Sequence, residues 1–184
     1  NNTSIHGGGG IDNNGKAKNC KLTNCTFIGN TAETGGGFYG GSVNVILINC
    51  TFIDNTAELG GAVFLTSKNI NSTVTGCTFS NNAATNEGGA LYWQGVNGTV
   101  TGCNFTGNTA KGSGGAIQWW NPNGTLTDCI FTDNIANGNG GAIWWGNNNG
   151  VVNNSTFIGN IANKLGGAGY WSGTESNMNE CKFK

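Results

Sequence analysis

The sequence predicts an all-β solenoid: a parallel β-helix with three short strands per rung, about 26 residues per rung and about six to seven rungs. The first observation behind this is a repeat. Cys25, Cys50, Cys77, Cys103, Cys129, Ser155 and Cys181 follow one another at gaps of 25, 27, 26, 26, 26 and 26 residues, and two positions further on stand Phe27, Phe52, Phe79, Phe105, Phe131, Phe157 and Phe183. A fixed short period signals stacked units that share one continuous core rather than a single globule. The second is the spacing inside a unit. In Thr99-Val100-Thr101-Gly102-Cys103-Asn104-Phe105 the apolar positions follow the period of 2 that strands impose, which sets Cys103 and Phe105 on one face. The third is punctuation. A Gly, Asn or Asp precedes nearly every residue of the Cys column (Asn24, Asn49, Gly76, Gly102, Asp128, Asn154), with Glu180 as the exception, and these residues tolerate the left-handed backbone of a sharp bend.

Each unit reads in order as follows. A strand carries one inward apolar residue (Leu22, Leu47, Val74, Val100, Leu126, Val152 or Met178). After a bend comes the Cys-x-Phe strand, and after a second corner marked by Asn30, Asn55, Asn82, Asn108, Asn134 or Asn160 a Gly-Gly pair opens the third strand, as in Gly141-Ala142-Ile143-Trp144-Trp145. Asn recurring at one corner predicts a ladder of stacked side-chain amides along the axis. In the third strand alternate residues face opposite ways. The polar Gln118 in the column Tyr39, Phe64, Tyr92, Gln118, Trp144, Tyr170 assigns that column to the outside and the column of Leu65, Trp93, Trp119, Trp145 and Trp171 to the inside. Residues 21–184 form the repeat domain. Residues 1–20 fall outside it, and His6–Gly10 reads as a mobile stretch or an irregular first rung.

Composition excludes several classes of function. The chain has 184 residues, eight Lys, no Arg, nine acids and a net charge of -1. Nucleic-acid binding needs a basic stripe, and an anionic membrane surface needs a basic cluster; neither is present. The longest aliphatic run, Val45-Ile46-Leu47-Ile48, is far short of the ~20 residues of a membrane-spanning helix, so no direct membrane insertion is expected. A start at Asn rather than Met is read as a removed leader or an excerpt of a longer chain.

The recurring Phe-x-x-Asn (Phe27 to Asn30, Phe52 to Asn55, Phe79 to Asn82) with Gly-Gly-Ala-Ile/Val/Leu (Gly61 to Val63, Gly89 to Leu91, Gly115 to Ile117, Gly141 to Ile143) resembles two groups of repeats. One is that of the chlamydial polymorphic outer membrane proteins; the other is that of adhesin-like surface proteins of methanogenic archaea. The resemblance covers residues 21–184 and implies a right-handed parallel β-helix displayed outside the cell and acting in adhesion. With it, the Asn-, Ile- and Lys-rich, Arg-free composition leans towards a methanogen.

Catalytic chemistry finds little footing, and no catalytic residue, metal or cofactor is expected. Asp54 and Asp133 hold equivalent places but stand three rungs, about 14 Å, apart, too far for a paired-carboxylate mechanism. The Cys column lacks Cys-x-x-Cys spacing, and His6 is the one His, so zinc ligation is not expected; the column reads as buried free thiols, with Cys20 the candidate exception. The functional expectation is a non-enzymatic, extracellular or cell-surface stalk, with Tyr39, Phe64, Tyr92, Trp144 and Tyr170 as an exposed aromatic binding face for a glycan or a surface protein. The alternative is a filament subunit that self-associates end to end, since open β-helix ends template pairing. A polysaccharide-active enzyme ranks lower for want of paired carboxylates, and ice binding because the Thr-x-Thr motif recurs in only three rungs: Thr73/Thr75, Thr99/Thr101 and Thr125/Thr127.

Overall fold

A computed structural model describes residues 1–14 and 18–184. It is a right-handed parallel β-helix in which every strand pairs in parallel with its equivalent one period away, as Val100 does with Val74 and Leu126. Four sheets run along the axis, with 7, 7, 5 and 7 strands among the described residues. One rung shows the plan: Thr99–Thr101, Asn104–Thr106, Thr109–Ala110 and Ile117–Trp119. By their inward residues these are the Val, Phe, Ala and Trp sheets.

The Ala sheet is a fourth strand where three were expected. Several of its strands are two residues long, and Ala carries little strand preference of its own. Its pairing is imposed by the rungs on either side, and Ala57, Ala84, Ala110 and Ala136 turn inward and are buried. At the start of the chain the structure decides between the two expected alternatives. Ile11–Asn13 pairs with Phe38–Gly40, and Asn2 donates to Asn30 Oδ1 from both its backbone N and its Nδ2 at 2.9 Å. The glycines of the His6–Gly10 stretch are tied down, with Gly8 N donating to Thr34 O at 2.9 Å. These residues are therefore a rung, hidden from the period because it contains no Cys-x-Phe; residues 15–17 of the 1–20 segment lie outside the described residues, and Asn19 and Cys20 already belong to the strand Asn19–Thr23.

The corners are made by left-handed residues. Asn24, Asn49, Gly76, Gly102, Asp128 and Asn154 all have positive φ, and so does the exceptional Glu180, at 53°. At the next corner the left-handed residue is the one before the Asn column, namely Gly29, Asp54, Asn81, Gly107, Asp133 and Gly159. The Gly-Gly pair divides its work. Gly114 takes φ 67°, whereas Gly115 is needed for space, because a Cβ there would sit 2.0 Å from the carbonyl oxygen of Gly141 in the next rung.

The interior is a set of apolar stacks with two polar ladders at the corners. Phe79 and Phe105 lie 4.7 Å apart with rings parallel to within 1°, and the same stack runs from Phe27 to Phe183. Trp93, Trp119 and Trp145 stack at 4.5 and 4.6 Å, fully buried as expected. The expected Asn ladder is present. Asn82 Nδ2 and its backbone N both donate to Asn108 Oδ1 at 3.0 Å, and Asn108 Nδ2 donates on to Asn134 Oδ1 at 2.9 Å and back to Phe79 O at 3.0 Å. Every polar atom of a buried amide is thereby used, which low-dielectric burial demands.

The Cys column does more than fill space. Cys50 N and Cys77 N donate to the sulfur of the next rung at 3.3 and 3.4 Å, and the Cys77 sulfur lies 3.4 Å from Thr75 O, the acceptor for its thiol proton. Ser155 repeats the arrangement, with Cys129 N donating to its Oγ at 3.1 Å and Oγ donating to Asn153 O at 2.8 Å. Cys103 is pushed up to about 12 by the hydrogen-bonding Cys129 thiol and by burial, and Cys77 is raised in the same way by Cys103, so these thiols stay protonated. All seven cysteines, Cys20 included, are free.

Replacing Asn108 by Leu strands the Asn82 N–H groups and the Phe79 carbonyl in a dry interior. A loss of about 3 kcal/mol or more in chemical denaturation is expected, against little change for a Thr101→Ser control on the outer surface. Gly115→Ala is expected to prevent folding or to lower the melting temperature severely, as read by circular dichroism.

Candidate binding face

The outward side of the Trp sheet holds Tyr39, Phe64, Tyr92, Gln118, Trp144 and Tyr170 in register, one above another and opposite the buried Trp column. The side is the expected one; its accessibility is not. Phe64 and Tyr92 are only 7% and 6% exposed, Gln118 is 0% exposed, and Tyr39, Trp144 and Tyr170 are half-buried. The cause is the rung spacing. Tyr39 and Phe64 stack at 5.5 Å and Phe64 and Tyr92 at 5.1 Å, parallel to within 5°, so each ring face is covered by the next ring. Corner backbone crowds the base of the column as well: a Cβ on Gly60 would come within 3.1 Å of Tyr92 Cβ. The expected row of open aromatic platforms is thus a stack showing edges.

The most exposed ring on this side is Trp120, which periodic reasoning passed over. It follows the inward Trp119 at the end of the strand, so alternation sends it outward, and its backbone N is held by Trp93 O at 2.9 Å. It is 38% exposed, and its ring centroid lies 4.8 Å from that of Trp144 with the planes tilted by 54°. Its counterparts in neighbouring rungs are Gln94 and Gly146, so nothing in the repeat announces it. The signal available in the sequence was the break itself, an aromatic residue where the other rungs have none. Trp120, Gln94, Asn121 and Ser67 line a shallow groove of about 320 Å3, in which Asn121 Nδ2 donates to Gln94 O.

Glu87 lies beside Trp120 and Tyr92. It ends the strand Ala83–Glu87, whose pairing with Thr56–Leu59 shifts register between Ala84 and Glu87; such irregularities re-aim side chains. Burial pushes the Glu87 carboxyl above its ordinary value, an effect the nearby Trp120 indole partly offsets. Burial likewise raises the Tyr92 hydroxyl, with Gln94 and Trp120 acting against it and the Glu87 charge with it. Between Tyr92 and Trp144, neither Oε1 nor Nε2 of Gln118 has a hydrogen-bond partner.

The other candidates have backbone explanations. Asp54 and Asp133 are left-handed corner residues on the exposed surface, with Asn81 and Gly107 occupying the same corner in the rungs between them. Among the described residues no three His, Cys, Asp or Glu side chains gather as a metal site requires.

Comparison with known sequences accords with this geometry. The family described as right handed beta helix region matches residues 1–121, which include the N-terminal rung. The Chlamydia polymorphic membrane protein repeat matches residues 128–144, a single passage from the corner before Cys129 to Trp144. No curated protein and no solved structure matches the chain.

Glu87 gives a pH-dependent prediction. A carboxyl whose pKa is raised by folding stabilises the fold in its protonated form; that contribution is present at low pH and is lost as the pH rises through the raised value. Glu87→Gln is therefore expected to raise the melting temperature at pH 7, with the gain shrinking to nothing below the ordinary glutamate range. A gain of equal size at pH 3 would show that the carboxyl charge is not its source.

Proposed function

The chain belongs to the right-handed β-helix family, and from that premise we propose that it is an adhesin-like stalk displayed outside the cell, non-enzymatic, which binds neutral glycans through the groove on the outer side of its Trp sheet. The observation that carries this reading is the Trp120 ring, presented beside the uncharged polar side chains of Ser67, Gln94 and Asn121. Sugar rings have one apolar C–H face and a rim of hydroxyls, and a partly exposed indole flanked by amides and a hydroxyl complements both. The Chlamydia polymorphic membrane protein repeat, whose name places it in a membrane-associated protein, supports surface display. The polar ladders and stacked rings give the stalk its stiffness, since each rung is held by the rungs above and below it.

Trp120→Ala and Trp144→Ala are each expected to weaken adhesion to immobilised neutral glycans by about 2 kcal/mol, the scale of an aromatic hot spot, with the melting temperature lowered only slightly. Unchanged adhesion in both variants would retire the groove as the binding face.

A further inference from the structure

We infer that Gln118 is the floor of a subsite for one neutral sugar ring, closed in this structure by Trp120, whose indole turns outward to become the stacking surface when the sugar enters. The inference rests on the glycan-binding reading and adds to it the residue that reads the hydroxyls and the residue that moves.

Gln118 breaks its column. The equivalent positions hold Tyr39, Phe64, Tyr92, Trp144 and Tyr170, and a ring at 118 would continue the stack without any polar atom to satisfy. Instead the position carries a wholly buried primary amide with no partner on either Oε1 or Nε2. Such a group is costly in a folded chain and calls for a specific reason. A primary amide offers a donor and an acceptor side by side, which suits two adjacent hydroxyls: one accepts from Nε2 and the other donates to Oε1.

Trp120 is the side chain placed to cover it, since alternation sends residues 118 and 120 to the same side. The indole contacts Trp144 on one side at 4.8 Å between centroids and comes within polar reach of Tyr92 and Glu87 on the other. Tyr92 and Trp144 are the register neighbours of Gln118, so an indole reaching from one to the other crosses it. The Trp120 backbone is fixed by its hydrogen bond to Trp93 O, which leaves side-chain rotation as the way to open the site. Exposed side chains rotate on the ps–ns timescale, so the opening needs no rearrangement of the rungs. Charge selects among sugars. The groove lining offers no cation and the acid Glu87 lies beside Trp120, which disfavours uronic and sialic acids and suits a neutral ring.

The test uses the full chain with cellohexaose, mannohexaose and N-acetylchitohexaose as probes, read by titration calorimetry and by tryptophan emission. Wild type is expected to bind at least one of the three with a shift in emission. Gln118→Leu is expected to bind it at least tenfold more weakly while its melting temperature holds or rises, and Trp120→Phe to keep most of the affinity but lose the emission shift. Full affinity in Gln118→Leu overturns the subsite; when Trp120→Ala abolishes binding in the same series, the broader groove reading survives. An emission shift that persists in Trp120→Phe overturns the moving cover. A wild type that takes up none of the probes overturns this inference together with the reading beneath it.

Discussion

Parallel stacking at one rung spacing is the constraint from which the other features of this molecule follow. When equivalent residues must lie directly above one another, a column can hold only side chains that tolerate a copy of themselves along the axis. Phe and Trp satisfy this by offset stacking, Asn by passing a hydrogen bond from rung to rung, and Cys or Ser by accepting an N–H from one rung while donating within its own. Gly115 satisfies it by having no side chain where the next carbonyl oxygen comes closest. A residue that does not repeat well, such as a lone carboxylate or an arginine, has no place in a buried column of this kind.

The same constraint bears on function. Regular columns of rings use their faces on one another, so Phe64 and Tyr92 serve cohesion even though they point away from the core. The proposed recognition then falls to positions where the period lapses. Trp120 has no aromatic equivalent, Gln118 interrupts an aromatic column, and Glu87 ends a strand whose register shifts. Gln118 and Trp120 share a rung and point to the same side, and Glu87 comes beside Trp120 from the preceding rung. A repeat protein of this kind provides a rigid scaffold, and a local departure from the repeat provides the chemistry.

The polar interior also separates what is replaceable from what is not. Ser155 stands in the Cys column without disturbing its hydrogen bonds, because a hydroxyl repeats both the acceptor and the donor role of the thiol. The Asn column admits no substitute from Asn30 to Asn160, because Nδ2 and Oδ1 together serve a neighbouring amide, a backbone N–H and a carbonyl. Asp54 and Asp133 show the converse. They look like chemistry in a sequence and turn out to be backbone choices, held at positive φ where Gly or Asn also serves.

The columns, their inward or outward sense and the corner residues were legible from residue spacing, because each rests on a period shared by all rungs and on the alternation of side chains along a strand. The Asn ladder was legible for the same reason. Three things required the folded arrangement. The Ala sheet forms because neighbouring rungs hold weak strand formers in register, and the N-terminal rung forms by pairing without the residues that mark the repeat. The burial of the aromatic column and the approach of Glu87 to Trp120 depend on ring spacing and side-chain direction between rungs, distances that no one-dimensional pattern contains.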